Sequence, residues 1–273
     1  MPPGGELGPV VSRPHLALVP ANRVRARLRA PSARVLVVVA AMLAAVGLLY
    51  AAARITSLFA LTEVEVTGGP AAVRESVRAT AEPFLGESLV SLDQDELRRR
   101  LEALPTVRSL RVDRAFPHTL QISVVPERPL AVVRMGGAAW LVSERGRVIR
   151  SFAGAGTGRR ATIWTASEPN LEPGASVQGE SVRAALKALR QLPDRFPERV
   201  QSARAQDGSV TMVLVGGTEL RLGEVGALPL KLAVATRVLR TMTASERAAL
   251  AYLDVSVPER PVGGSTLDSQ LEG

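Results

Sequence analysis

Chemistry needs side chains that titrate near neutrality, bind metals or act as nucleophiles, and this chain offers few at useful spacings. It has no cysteine among its 273 residues, which removes zinc ribbons, iron-sulfur ligation, thiol catalysis and disulfides together. Its two histidines, His15 and His118, stand 103 residues apart in dissimilar surroundings, so neither a multi-histidine metal site nor a Ser/His/Asp triad is expected. No G-x-S-x-G, H-E-x-x-H or G-K-[ST] pattern occurs. The spaced glycines of AGAGTGRR, residues 153–160, lack both the spacing and the following helix of a phosphate cradle, and read as a flexible loop. Asp93, Asp95 and Glu96 are better explained as a helix start, where negative charge meets the positive end of the dipole, than as a paired-carboxylate site. His118, between Pro117 and Thr119, reads as an exposed turn residue. The sequence thus points to no catalytic residue, no cofactor, no metal and no small-molecule substrate.

Binding is the remaining possibility, and charge says where. The net charge is +8, yet residues 1–34 hold six arginines and one acid, leaving 28 basic against 25 acidic residues for all the rest. That tail carries no aromatic platform among its arginines, which argues against nucleic acid. It reads as a disordered basic segment close to anionic headgroups. Directly after Arg34, Val35 to Ala53 forms nineteen uncharged residues closed by Arg54. As a helix this reaches about 28 Å, matching a hydrocarbon core of roughly 30 Å. A cleaved signal peptide is the rival, since Ala51-Ala52-Ala53 fits a small-residue cleavage pattern, but the apolar stretch and the leader are both long for one. The arginine bias places the amino terminus in the cytoplasm and the body outside.

Beyond the span the element order is definite. Glu63 to Val66 alternates as a strand; residues 71–81 read as a short helix with Val73 and Val77 inward; Asp93 caps a second helix with Leu97, Leu101 and Leu104 on one stripe. Residues 107–112 and Leu120, Ile122 and Val124 then make a hairpin, with one slip of register in the first strand. Two helices on one face of a three-stranded sheet follow from this order. From Pro126 to Val257 strands dominate, with one helix over residues 181–192 and another from Pro229 that sets Leu230, Val234, Val238 and Met242 inward and Lys231, Arg237 and Arg240 outward. Residues 200–222 give three strands joined by Asp207-Gly208 and Gly216-Gly217 turns. YLDVSV, residues 252–257, is a short terminal strand that nothing follows to pair with, before a Pro/Gly/Ser-rich tail over 258–273 that reads as disordered.

The strand VEVTG, the run G-x-x-L-x-x-L-D-x-x-x-L (Gly86 to Leu97), LP-x-V (Leu104 to Val107), R-x-F-P-x-T-L (Arg114 to Leu120) and ERP (Glu127 to Pro129) stand in fixed order behind a one-span anchor. In this the chain resembles the FtsQ/DivIB family of cell division proteins, although Thr106 and Phe116 stand where that family often has tryptophan. The resemblance implies an α+β protein: a single transmembrane helix, a POTRA-like βααββ domain over 61–128, and a mostly β C-terminal domain over 129–257 with a mixed or antiparallel sheet and two helices. It implies a non-enzymatic scaffold at the division septum whose last strand, Tyr252, Leu253, Asp254, Val255, Ser256 and Val257, docks bitopic division proteins of the FtsB and FtsL type. An unpaired strand edge suits such docking, with backbone pairing giving affinity and Tyr252 and Asp254 giving selectivity; the other reading of the same run is an interior strand kept for the core alone. The alternative is a membrane-anchored extracytoplasmic enzyme acting on envelope polymers, whose signature would be two facing carboxyl groups with opposed titration shifts.

Overall fold

A computed structural model describes residues 33–55, 59–153, 158–168 and 171–265. The basic tail over 1–32, the middle of the glycine loop (154–157) and residues 266–273 lie outside them. Helix α1 (Ala33–Ile55) is uncharged from Val35 to Ala53, between Arg34 and Arg54, and none of the window Ala33–Ala51 is buried. Val35, Leu36, Val37, Met42, Leu43, Leu48 and Leu49 all stand exposed around it. A helix apolar on every side and covered on none has the length and composition to cross a bilayer.

The first sheet is small. β1 (Glu63–Thr67), β2 (Val107–Ala115) and β3 (Thr119–Pro126) stand in the order β1-β3-β2, with β1 parallel and β2 antiparallel to β3. The expected slip is present as a register shift between Val107 and Ser109. Helices α2 (Ala71–Ala81) and α3 (Gln94–Ala103) cover one face: Val73, Val77, Ala81, Leu97 and Leu101 share a core with Val66, Val112, Leu120, Ile122 and Val124. The Asp93 carboxylate starts α3 by accepting from the backbone N–H groups of Asp95 and Glu96, both at 3.0 Å. Glu96 does not reach back to complete a capping box; it accepts from Arg100 Nε at 2.7 Å instead. Gly68, at φ +83, turns β1 into α2 so close to the Val124 carbonyl that a Cβ would run into it.

The second sheet has nine strands. β4 (Pro129–Met135), β5 (Ala138–Ser143), β6 (Val148–Ala153), β7 (Ala161–Trp164), β8 (Val200–Gln206), β9 (Ser209–Leu214), β10 (Glu219–Glu224), β11 (Leu250–Asp254) and β12 (Val262–Ser265) lie in the order β12-β11-β10-β9-β8-β7-β4-β5-β6. β7 runs parallel to both β4 and β8, and β10 parallel to β11; the remaining pairs are antiparallel. Helices α4 (Glu180–Arg190) and α5 (Leu228–Thr241) contribute Val182, Leu186, Leu189, Leu228, Leu232, Ala235 and Leu239 to one continuous core with Met212, Leu214, Leu220 and Leu222. Glu168 is buried at the start of α4, where its Oε1 accepts from the N–H groups of Gln178 (2.8 Å) and Gly179 (2.7 Å). It answers the N-cap donor that the helix start leaves over, together with the N–H just before it.

Three elements depart from the sequence expectation. On α5 the fully buried stripe is Leu228, Leu232, Ala235 and Leu239; the expected Val234 and Val238 pack against the core in part, and Leu230 is exposed. Lys231 is buried, not solvated: its ammonium donates to the carbonyls of Leu222 and Glu224, both at 2.8 Å, and ties α5 to β10. A short helix, α6 (Ala244–Ala249), follows a capping box formed by Thr243 and Glu246. Finally, residues 258–265 are not a disordered tail, because Val262–Ser265 forms β12 and pairs with β11.

The two sheets are joined at the ERP run. Glu127, its side chain 1% exposed, pairs with Arg145 Nη2 at 2.6 Å, and its backbone N–H donates to the Thr106 carbonyl. Arg147, from the same β5–β6 turn, donates to the carbonyls of Glu102 (3.1 Å) and Ala103 (3.2 Å) at the end of α3. A cation there meets the negative end of the helix dipole.

A candidate partner-docking edge

The six residues expected to dock a partner are divided by the fold. Leu253 (2% exposed) and Val255 (fully buried) belong to the core. Tyr252 and Asp254 point to the other face of β11 and are half-buried, as the period-two alternation of a strand requires. β11 ends at Asp254, whose Oδ1 accepts from the Ser256 N–H at 2.8 Å. Such a local bond competes with the ladder and closes the strand, leaving Ser256 and Val257 in the bend beyond it.

β11 is not an edge. Leu220 of β10 lies opposite Leu253 on one side, and Gly263 of β12 lies opposite it on the other. The expectation that nothing pairs with it fails because Val262–Ser265 returns antiparallel, hidden in the sequence by two glycines that score poorly as strand. Those glycines have a physical role. The Tyr252 ring lies across Gly264 so closely that any Cβ there would meet its ring atoms. From the far side the Arg221 guanidinium sits 4.3 Å from the ring centroid. Arg221 pairs with Glu219 at 3.1 Å, and Glu219 with Arg204 at 3.3 Å. The outer face of β8, β10, β11 and β12 is therefore a polar row that ends in a half-buried tyrosine beside the outermost strand, where Val262 is 54% exposed. The sequence set Tyr252 and Asp254 on one face of this strand but did not place Arg204, Glu219, Arg221 and Gly264 beside them. The only available signal was the alternation of polar residues along β10.

The remaining candidates are structural. His118 is half-buried, and its Nδ1 lies 3.1 Å from the Ala60 carbonyl, tying the chain before β1 to the start of β3. Glu96 titrates below the ordinary glutamate range, chiefly because Arg100 hydrogen-bonds the charged form. Glu246 does so because the Thr243 backbone and side chain hydrogen-bond it. Both shifts are opposite to that of a carboxyl kept protonated as a general acid. No group of three or more His, Asp or Glu with metal-ligand geometry occurs among the described residues.

Comparison with known proteins places both sheets. The family described as POTRA domain, FtsQ-type, matches residues 59–127. Cell division protein FtsQ/DivIB, C-terminal, matches residues 131–256. The chain is similar to the cell division protein FtsQ of Streptomyces bingchenggensis, at 28% identity over 88% of this chain and 89% of that one. It is also similar to that of Streptomyces coelicolor, at 27% over 89% and 92%, and to that of an Anaeromyxobacter strain, at 34% over 62% and 58%.

Proposed function

The chain belongs to the FtsQ/DivIB family of cell division proteins, and from that premise we propose that it is a non-enzymatic scaffold of the division septum that holds bitopic partners of the FtsB and FtsL type by strand addition. α1 anchors it in the cytoplasmic membrane with the basic tail inside and both sheets outside. The domain over 61–128 stands next to the membrane and the one over 129–257 carries the docking edge. Tethering confines partners to the membrane plane, so weak contacts act at high effective concentration.

The observation that carries this reading is the order of the nine-stranded sheet, which puts a four-residue, glycine-containing strand at one end, outside the expected docking strand. Among the described residues, the outermost row offered to a partner is the outer side of Val262–Gly264 in β12, one strand beyond Tyr252–Val257. Tyr252 and Asp254 remain the selecting side chains, reached across the small Gly263-Gly264 pair. Recruitment, not turnover, is the mechanism.

Co-purification of the partners from cells tests this. The variant Val262→Pro removes a backbone donor from β12 at an exposed residue that belongs to neither core and stands clear of the Gly264–Tyr252 contact. Loss of the partner with retained circular dichroism supports the reading. Retained partner binding would sink it.

A further inference from the structure

Taking α1 as a membrane anchor, as proposed above, we infer that the end of the three-stranded sheet where the chain enters is an apolar foot that rests in the headgroup layer of the lipid bilayer. β1 and β3 run parallel and β2 antiparallel, so the starts of β1 and β3 and the end of β2 meet at one end. The chain arrives there from α1 and leaves for the second sheet from the opposite end, after β3. Backbone hydrogen bonds gather three segments at the entry end: Leu61 N–H to Glu87 O, Gly86 N–H to Leu61 O, and Thr62 N–H to His118 O.

That end carries a concentration of exposed apolar side chains. Phe116 is 55% and Leu85 45% exposed. Phe59 packs edge-on against Phe116, ring centroids 5.8 Å apart. With five phenylalanines in the whole chain, two meet at this spot. Phe59 follows Ile55, the last residue of α1, by four positions, and four residues span at most about 14 Å. So short a connection lets this aromatic pair reach the depth where aromatic belts form. The opposite end of the sheet is about 26 Å away along the eight residues of β3, beyond that layer. Glu82 and Glu87, both exposed at the entry end, limit the depth: carboxylates stay at headgroup level, so the foot rests on the bilayer without entering its hydrocarbon.

The cysteine-free chain allows single labels carrying an environment-sensitive fluorophore, introduced as Leu85→Cys, as Leu43→Cys within α1, and as Gln206→Cys in the exposed β8–β9 turn. The full chain is placed, one copy per disc, in phosphatidylcholine nanodiscs with and without headgroup-spin-labelled lipid. The foot predicts a loss of about half the emission at residue 85 on adding the spin label and almost none at 206, as expected for a group held in the interface. Phe116→Ser should bring residue 85 toward the behaviour of 206. A label at 43 shielded from aqueous quencher, with residue 85 behaving as 206 does, overturns the foot while the anchor stands. Residue 43 open to aqueous quencher defeats the anchor and the foot with it. A blue shift at residue 85 without response to spin-labelled lipid means that protein covers it, and overturns the lipid assignment.

Discussion

Replacing both Arg145 and Arg147 by alanine should uncouple the two sheets. Glu127 is 1% exposed at its side chain and Arg145 46%. Removing one partner of a fully buried pair costs about 3–5 kcal/mol, while an exposed pair is worth about 0–1 kcal/mol. With one partner buried and the other half in water, about 2 kcal/mol is reasonable. Arg147 adds its bonds to the final carbonyls of α3, for about 1 kcal/mol at a helix C-terminus. The total of about 3 kcal/mol corresponds to a fall in Tm of roughly 6–12 °C for a unit of this size. Trp140 and Trp164 are the only tryptophans and both lie in the nine-stranded sheet, so their fluorescence reports that sheet, whereas far-ultraviolet circular dichroism reports both. The wild-type chain in detergent should give coincident transitions by the two probes. The double variant should give a lower midpoint and separated transitions. Coincident transitions at an unchanged midpoint would refute the idea that this turn joins the sheets.

Other consequences are smaller in scope. Lys231→Ala removes the donor to the buried Leu222 carbonyl and the part-buried Glu224 carbonyl on β10 and should lower stability by about 2–4 kcal/mol, measured by urea unfolding. Leu101→Ala, at a fully buried site between α3 and the small sheet, should cost about 2–5 kcal/mol and appear more strongly in circular dichroism than in tryptophan fluorescence. Because the Glu96 carboxyl is held below its usual 4.5 chiefly by the Arg100 hydrogen bond, its support of α3 is present above that value and is lost as pH falls through the lowered one. Carbon-detected titration should show this, and Arg100→Ala should move the midpoint upward.

Much of the fold was legible where one periodicity dominated. The stripes of α2 and α3, the Asp93 cap and the Asp207-Gly208 turn needed only local chemistry. β7 was not legible, because Ala161, Thr162 and Ile163 are all buried between two parallel neighbours and show no alternation. α6 buries no side chain, so only its Thr243–Glu246 box marked it. On α5 two apolar stripes compete, and the winner depends on a lysine that reaches back to β10, a tertiary contact that pattern reading treats as surface. At the candidate docking edge, alternation was enough to put Tyr252 and Asp254 on one face of their strand. Their cover was not, since β12 is glycine-rich and gains its pairing from the neighbour, not from its own propensity.

Amide hydrogen exchange across residues 250–265, in the free chain and in the chain co-purified with its division partners, tests the docking edge most directly. The scaffold reading predicts new protection at Val262–Gly264 on partner binding, with little change in the already covered Leu250–Asp254. Unchanged exchange at Val262–Gly264 in a chain that still holds its partner would contradict it.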